Sequence, residues 1–518
     1  MTTVTETTTA ADGGAPSDAD DRSRWLALYV LCTGMLMVVL DATIVNVALP
    51  SIQDSLGFSQ SGLAWVVNAY LIAFGGLLLL AGRVGDLIGQ RKMFLIGTGV
   101  FTVASLLCAV SFSQGFLIGA RFVQGVGGAL TSAVILGMII NLFPEPRDQA
   151  KAIGVFGFVA SAGGSIGLLV GGVLTDLISW HWIFFINIPV GIGVALMARR
   201  LVEDSDGIGL DKGADLPGAT LLTAGLMLGV YTILGIEDHG WLGTQTLILG
   251  AISGLLVAAF FVRQARIENP LMPLRLFESR NVVGANIVQA LLVVGMFGMF
   301  FLGALYLQQI LGYSALKVGF AFLPATVIMG IMSLKVSERV QMRFGPKAAL
   351  LPSLGFIGAG LLLFSLTPVD ANFLTDVVPP MVLIGAGAGL GFPSLMTLAM
   401  SGATPEDSGL ASGLVNTSVQ VGGAIGLAVL ATLSSERTDS LIAAGESAAE
   451  ATNSGYHLAY VVGAGLVAAA AIVSVLVIKV DKGAMAAMAE AHGGDAPEVG
   501  APSEGRPGSP EPAYAPSE

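Results

Sequence analysis

The chain has 518 residues, 54% hydrophobic and 12% charged, with a formal net charge of −12 and a mean hydropathy of +0.79. An average soluble domain carries about a quarter charged residues, so this composition excludes an ordinary soluble core. It also excludes a nucleic-acid binder, since no segment carries a basic stripe, and a disulfide framework, since Cys32 and Cys108 both fall within apolar runs.

In chain order, residues 1–24 come first, with five acids and two arginines among Thr, Ala and Gly. They cannot bury a core and are expected to be a disordered acidic tail. The first apolar run starts at Trp25 without the basic leader of a signal peptide, so it is expected to remain as the first membrane helix. Runs of about 20 apolar residues match a hydrocarbon layer of about 30 Å. Fourteen such runs are expected. Six lie near 25–48, 61–82, 93–112, 115–140, 151–174 and 182–199, within an N-terminal six-helix bundle at 25–200. Two, near 216–236 and 245–262, sit in a linker at 201–281. Six more lie near 282–305, 318–336, 347–367, 378–400, 408–433 and 457–478, in a C-terminal bundle at 282–480. Residues 481–518 are expected to be a second disordered tail.

Lysine and arginine favour the cytoplasmic side of membrane proteins. With both termini cytoplasmic, 21 of the 24 basic residues fall inside; Lys317 and Arg437 fall outside and Arg121 within a span. The expected location is the cytoplasmic membrane, multi-pass. Trp180, Trp182 and Trp241 are expected at the membrane interfaces. An internal repeat supports two halves: Arg83, Val84, Gly89 and Arg91 align with Arg339, Val340, Gly345 and Lys347 at a constant offset, each set after the second helix of a six-helix block.

Only Asp41 and Arg121 lie well inside a span. A charge at the bilayer centre costs about 2.5–3.5 kcal/mol on insertion scales, so such residues are usually paired and functional. Counted at 1.5 Å per residue, both sit roughly 10 Å below the outer surface. A pair between them is therefore expected. Burial favours a neutral carboxyl and a neighbouring arginine a charged one, so a motion that separates the two would switch proton affinity. The other reading is a static ion pair that fixes helix packing. The four histidines, His181, His239, His457 and His492, are scattered, and no metal site is expected.

The loop Gly82-Arg83-Val84-Gly85-Asp86-Leu87-Ile88-Gly89-Gln90-Arg91-Lys92 resembles the cytoplasmic signature of the major facilitator superfamily. Its glycines are expected to make the turn, Asp86 to cap a helix in the other half, and Arg91 and Lys92 to hold the inner surface. Arg121-Phe122-Val123-Gln124-Gly125-Val126-Gly127-Gly128 resembles that superfamily's fourth-helix motif for proton transfer. Leu40-Asp41-Ala42-Thr43-Ile44-Val45-Asn46-Val47-Ala48-Leu49-Pro50 resembles the signature of its fourteen-helix drug:proton antiporters, the EmrB/QacA-type branch. Gly163, Gly167, Gly171 and Gly172 resemble the antiporter motif of the fifth helix, with Leu168 where that motif has proline.

The resemblance implies an all-α polytopic membrane protein with the major facilitator fold: two six-helix bundles plus two inserted helices. It implies proton-coupled efflux of lipophilic drugs or antibiotics by alternating access, with no cofactor and the proton gradient as energy source. Asp41 and Arg121 would couple protons, and Gly82, Gly85, Asp86, Gly89, Arg91 and Lys92 would form the conformational switch. Polar residues for the substrate cavity are Asn46, Asn68, Tyr70, Gln124, Asn187, Gln289 and Gln308, each equally able to serve as an interhelical hydrogen bond. The expected partners are a small neutral or monocationic lipophilic substrate, protons and the lipid bilayer, with the monomer as functional unit. The main alternative is a dedicated exporter of one host metabolite or self-made antibiotic. An enzyme is not expected, for lack of a catalytic cluster, nor a channel, for lack of a charged ring or filter loop.

Overall fold

A bilayer interior offers backbone N–H and C=O groups no water, and a helix satisfies them within one segment. The computed structural model describes residues 18–203, 207, 209, 215–267, 270–272, 274–400 and 408–479. The expected tails therefore lie outside the described residues, except for 18–24, which are helical rather than disordered.

All regular structure among the described residues is helical. The first bundle holds α1 (Asp18–Leu56), α2 (Gln60–Ile88), α3 (Gln90–Ala109), α4 (Gln114–Leu142), α5 (Pro146–Leu177) and α6 (Trp182–Leu201). Then come α7 (Leu216–Leu234) and α8 (Thr244–Gln264). The second bundle holds α9 (Arg280–Ile310), α10 (Ala315–Phe344), α11 (Pro346–Phe364), α12 (Phe373–Met400), α13 (Ser408–Ala443) and α14 (Ala448–Val477). Thirteen of these are long and apolar enough to cross a membrane. The other, α5, is 32 residues long, with Ile166–Leu177 as its recognised apolar stretch. The protein is thus an all-α, multi-pass membrane protein.

An even number of helices puts both described chain ends, Asp18 and Lys479, at one end of the molecule, here the terminal face; the opposite end is the distal face. Serine caps start four helices at the distal face. Ser59, Ser113, Ser314 and Ser447 accept from the N–H groups of Gly62, Phe116, Lys317 and Glu450, which satisfies donors that a helix start leaves free. The helices outrun the apolar stretches that announced them. The run ending near 433 continues as helix to Ala443, and α14 begins nine residues before the expected 457. Polar residues such as Glu436 and Glu450 are acceptable in helices, so a helix need not stop where the membrane does.

Within the first bundle α1 packs on α5, and α4 on both α2 and α3; within the second, α9 packs on α13 and α14, and α11 on α12. The inserted α7 lies against α2 and α13 together, one from each bundle, while α8 packs chiefly on α7. The approach of α7 needs a missing side chain: a Cβ on Gly76 would lie 2.7 Å from Thr223 Oγ1.

The internal repeat has a backbone counterpart. Gly89 (φ 100°) ends α2, and Gly345 (φ 85°) ends α10. Gly89 N–H donates to Gly85 O at 2.9 Å and Gly345 N–H to Gln341 O at 2.8 Å, the same register in both halves. Positive φ is where glycine alone escapes strain. The other expected turn glycines do not turn: Gly82 and Gly85 lie within α2. Gly85 instead makes room for the Val134 side chain of α4 and for Met93.

Candidate functional site

Five helices of the first bundle bring polar groups to one buried point. Asp41 on α1 and Arg121 on α4 are both fully buried, and Arg121 Nη1 donates to Asp41 Oδ2 at 2.5 Å. The other carboxylate oxygen, Oδ1, accepts from Gln124 Nε2 at 2.7 Å and from Asn187 Nδ2, on α6, at 2.9 Å. Arg121 also donates through Nε to Val66 O on α2 at 2.9 Å and through Nη1 to Gln124 Oε1 at 2.7 Å. Ser105 on α3 closes the network: its Oγ accepts from Gln124 Nε2 at 2.8 Å and from Asn187 Nδ2 at 3.4 Å.

Helical spacing explains the convergence. Arg121 and Gln124 are three residues apart on α4 and so share a face. Ser105 and Cys108 are likewise spaced on α3, and Cys108 Sγ sits 3.5 Å from Gln124 Oε1. Glycines let the helices close around the cluster. A Cβ on Gly125 would lie 3.0 Å from the Ala73 side chain, and one on Gly128 would lie 3.1 Å from Tyr70 Oη. Aromatic faces complete the shell: the Arg121 guanidinium lies 4.5 Å from the Tyr70 ring centroid and 5.7 Å from that of Phe184, at distances suited to cation–π attraction. Arg121 Nη2 has no hydrogen-bond partner among the described residues. Asp41 thus accepts three hydrogen bonds, one of them charge-assisted, as a carboxylate can and a protonated carboxyl cannot in full.

The residues expected to line a substrate cavity separate into four groups. Tyr70, Gln124 and Asn187 belong to the Asp41 cluster, and the Tyr70 hydroxyl donates to Val38 O at 3.3 Å. Asn46 turns back on its own helix, donating to Thr43 O at 3.2 Å. Gln308 crosses between bundles, donating to Val47 O at 3.1 Å. Asn68 and Gln289 are buried, and neither amide atom of Asn68, nor Nε2 of Gln289, has a hydrogen-bond partner among the described residues. Sequence reasoning missed Ser105 and Cys108, whose signal is faint: two small polar groups at i, i+3 in an apolar run.

At the terminal face, Arg91 Nη2 donates to Arg199 O at 2.5 Å, tying α3 to the last turn of α6. Asp86 is exposed; the loop before α13, residues 401–407, lies outside the described residues, and with it the expected cap of a helix in the other bundle. Lys92 is exposed. The glycine ridge of α5 serves α1: Gly163 faces Val39, Gly167 faces Leu40 and Thr43, and Gly171 faces Ile44 and Val47. Gly172 instead faces Ala315 and Leu316 at the start of α10. Trp182 and Trp241 are about half exposed, as an interfacial belt requires, but Trp180 is 5% exposed. It packs inward because the turn before α6 stacks its ring on His181 at 3.7 Å and edge-on to Phe184. Among the described residues no cluster of three or more His, Cys, Asp or Glu could hold a metal.

Residues 31–427 match the family model of the Major Facilitator Superfamily. The chain belongs to that superfamily. It is 38% identical to the puromycin resistance protein pur8 of Streptomyces alboniger over 434 residues, covering 83% of this chain and 85% of that one. It is 38% identical to the cephamycin export protein CmcT of Amycolatopsis lactamdurans, covering 80% and 85%. It is 32% identical to the multidrug resistance protein Stp of Mycobacterium tuberculosis, covering 79% and 76%. These resistance and export names accord with the drug-exporter branch that the first helix resembles. The solved structure of a bacterial homolog of the human lysosomal transporter Spinster shares the superfamily fold, with a TM-score of 0.65 at 16% identity over 89% of this chain and 98% of that one.

Proposed function

We propose that this protein exports lipophilic drugs or antibiotics across the cytoplasmic membrane in exchange for protons, by alternating access. The observation that carries the reading is the Asp41–Arg121 pair, fully buried and held by Gln124, Asn187 and Ser105. Asp41 is the proton carrier. Protonation removes the charge that Arg121 pairs with and lets the network around it rearrange; loss of the proton draws Arg121 back. Deprotonation on the other side of the membrane completes an exchange. The energy source is the proton gradient, without a cofactor, and the functional unit is the monomer.

Both termini face the cytoplasm in this reading, because that orientation puts the basic residues on the inner side. The distal face is then the outer one. Asp41 is the carboxylate buried among the helices of the first bundle, and the proton already claims it. Neutral or monocationic substrates therefore suit the site better than dications. Asn68 and Gln289, buried with unpaired amide atoms, are the groups for which a substrate's polar atoms would relieve an unmet hydrogen bond.

A second reading is export of one self-made antibiotic or metabolite. It is favoured by the relatives named for puromycin resistance and cephamycin export. One experiment addresses both. Inside-out vesicles with an imposed proton gradient receive dyes and antibiotics singly while lumenal pH is followed, for the parent protein and Asp41→Asn. Proton release by several compounds, lost in the variant, supports a multidrug antiporter. Release by a single compound supports the narrow exporter. No release by any compound, with insertion verified, removes the multidrug antiporter and leaves a narrow metabolite exporter or a transporter that does not use protons, with Asp41 a structural ion pair.

A further inference from the structure

Three sets of hydrogen bonds given by the described residues join the two bundles at the distal face. Gln308 Nε2 donates to Val47 O at 3.1 Å. Gln309 Nε2 donates to Gln53 Oε1 at 2.9 Å, while Gln309 Oε1 accepts from the Tyr456 hydroxyl at 2.9 Å. The third set involves a carboxylate. Asp176, at the end of α5, accepts from the backbone N–H of Ala315 through Oδ1 at 3.0 Å and from that of Leu316 through Oδ2 at 2.9 Å. One bundle thus supplies the negative charge that caps the first turn of a long helix in the other.

The backbones beneath are in direct contact, so the carboxylate is held in place. A Cβ on Gly172 would lie 2.7 Å from Ala315 O, and one on Gly319 would lie 2.6 Å from Leu168 O. Helix starts carry free N–H donors and partial positive charge, so a carboxylate there is stabilised twice, by hydrogen bonds and by the helix dipole. Between two N–H donors and one carboxylate the bonds are charge-assisted and directional. The contact exists only while the distal ends of α5 and α10 touch.

We infer that Asp176 is a positioning residue of the transport cycle: it latches the distal face shut, and its release is required for the molecule to open there. This rests on the alternating-access reading above. Asp176 is, among the described residues, a carboxylate of one bundle engaged by backbone N–H groups of the other. Asp176 therefore sets the resting balance between the two open states without touching substrate or the Asp41 cluster. Loss of the latch favours the distal-open state, so substrate loading from the terminal face becomes harder while release becomes easier.

The test uses full-length protein that keeps Cys32 and Cys108, both buried. Spin labels are placed at two exposed distal positions, one per bundle, through Phe112→Cys and Leu374→Cys. Distance distributions are recorded for the labelled parent, Asp176→Asn, Asp176→Ala and the control Asp370→Asn, which removes an exposed distal acid. Asn keeps one acceptor oxygen and Ala none. The expected result is a rise in the long-distance population of at least about tenfold in its ratio to the short one for Asp176→Ala, from the loss of two charge-assisted hydrogen bonds. A smaller rise is expected for Asp176→Asn and none for Asp370→Asn. Export by Asp176→Ala should show a raised KM with kcat less affected. An unchanged ratio in Asp176→Ala, in a parent whose distances do respond to pH or added drug, overturns the latch. A parent that shows one distance under every condition overturns alternating access itself.

Discussion

Arg121 Nη1 lies 2.5 Å from Asp41 Oδ2 with both side chains fully buried, and that single contact joins the charge of α1 to the charge of α4. Removing one partner leaves the other buried and unpaired, which typically destabilises a protein by about 3–5 kcal/mol. Asp41→Asn and Arg121→Gln should each abolish coupled export and lower the melting temperature in detergent. The double variant should recover much of the melting temperature, because no lone charge remains, yet regain no export. A double variant no more stable than the singles would mean that the two charges contribute independently.

Ser105 offers a gentler perturbation. Its Oγ accepts from Gln124 and Asn187, the two amides that hold Asp41. Ser105→Ala should cost about 1–2 kcal/mol of stability from the lost hydrogen bonds. It should also displace the pH at which export is half-maximal, because both amides are freed to reorient around the carboxylate. Ser105→Thr, which keeps the hydroxyl, should restore the pH profile. A profile unmoved by alanine would confine Ser105 to packing.

Gly89 and Gly345 should respond alike. Each ends a helix at positive φ in the same register, where a side chain is strained by about 1–3 kcal/mol. Gly89→Ala and Gly345→Ala should produce similar losses in thermal stability, and the pair should be additive within about 0.5 kcal/mol, as for separate sites. Gly82→Ala, within a helix and with open space at the Cβ position, should be neutral to slightly stabilising. Thermal unfolding monitored by a thiol-free reporter would rank the three.

His181 lies in the distal turn before α6, where burial holds the imidazole below its ordinary value of 6.5. A depressed histidine binds its proton more readily unfolded than folded, so its contribution favours the folded state above pH 6.5 and fades as pH falls below it. His181→Gln should flatten the loss of thermal stability between about pH 7 and pH 5. The Ser179 hydroxyl beside Nδ1 makes Gln a closer replacement than Ala. A parent and variant with the same pH dependence would remove His181 from the balance.

The fold was legible because each helix declares itself by apolar length, which the bilayer makes a strong constraint. The Asp41–Arg121 contact was legible for the same reason: two charges at matched depth in a membrane have few other solutions. Gln124 was named through the fourth-helix motif it shares with Arg121, though as a cavity residue rather than a partner of Asp41, and Ser105 and Cys108 carry no charge and no long side chain to mark them. The roles of Gly82 and Gly85 were misread because a run of glycines beside basic residues looks like a turn, whereas in this loop only Gly89 takes the backbone to positive φ, Gly85 makes space for Val134, and Gly82 faces open space. Trp180 was misplaced since residue type cannot tell whether a turn points its ring outward to the interface or back against Phe184. The fate of Gln308 depended on where two separate bundles meet, which no local pattern encodes.

The position of α7 makes the two seams between the bundles unequal. Where α2 meets α13, a third helix lies across the join, with Gly76 cut back to admit Thr223. Where α5 meets α10, the backbones touch through Gly172 and Gly319, and among the described residues neither inserted helix packs substantially on the join. One flank of the molecule is therefore covered by an inserted helix and the other is not. The twofold kinship recorded in Gly89 and Gly345 is broken in the plane of the membrane, and a molecule diffusing in the bilayer meets a protein with a front and a back.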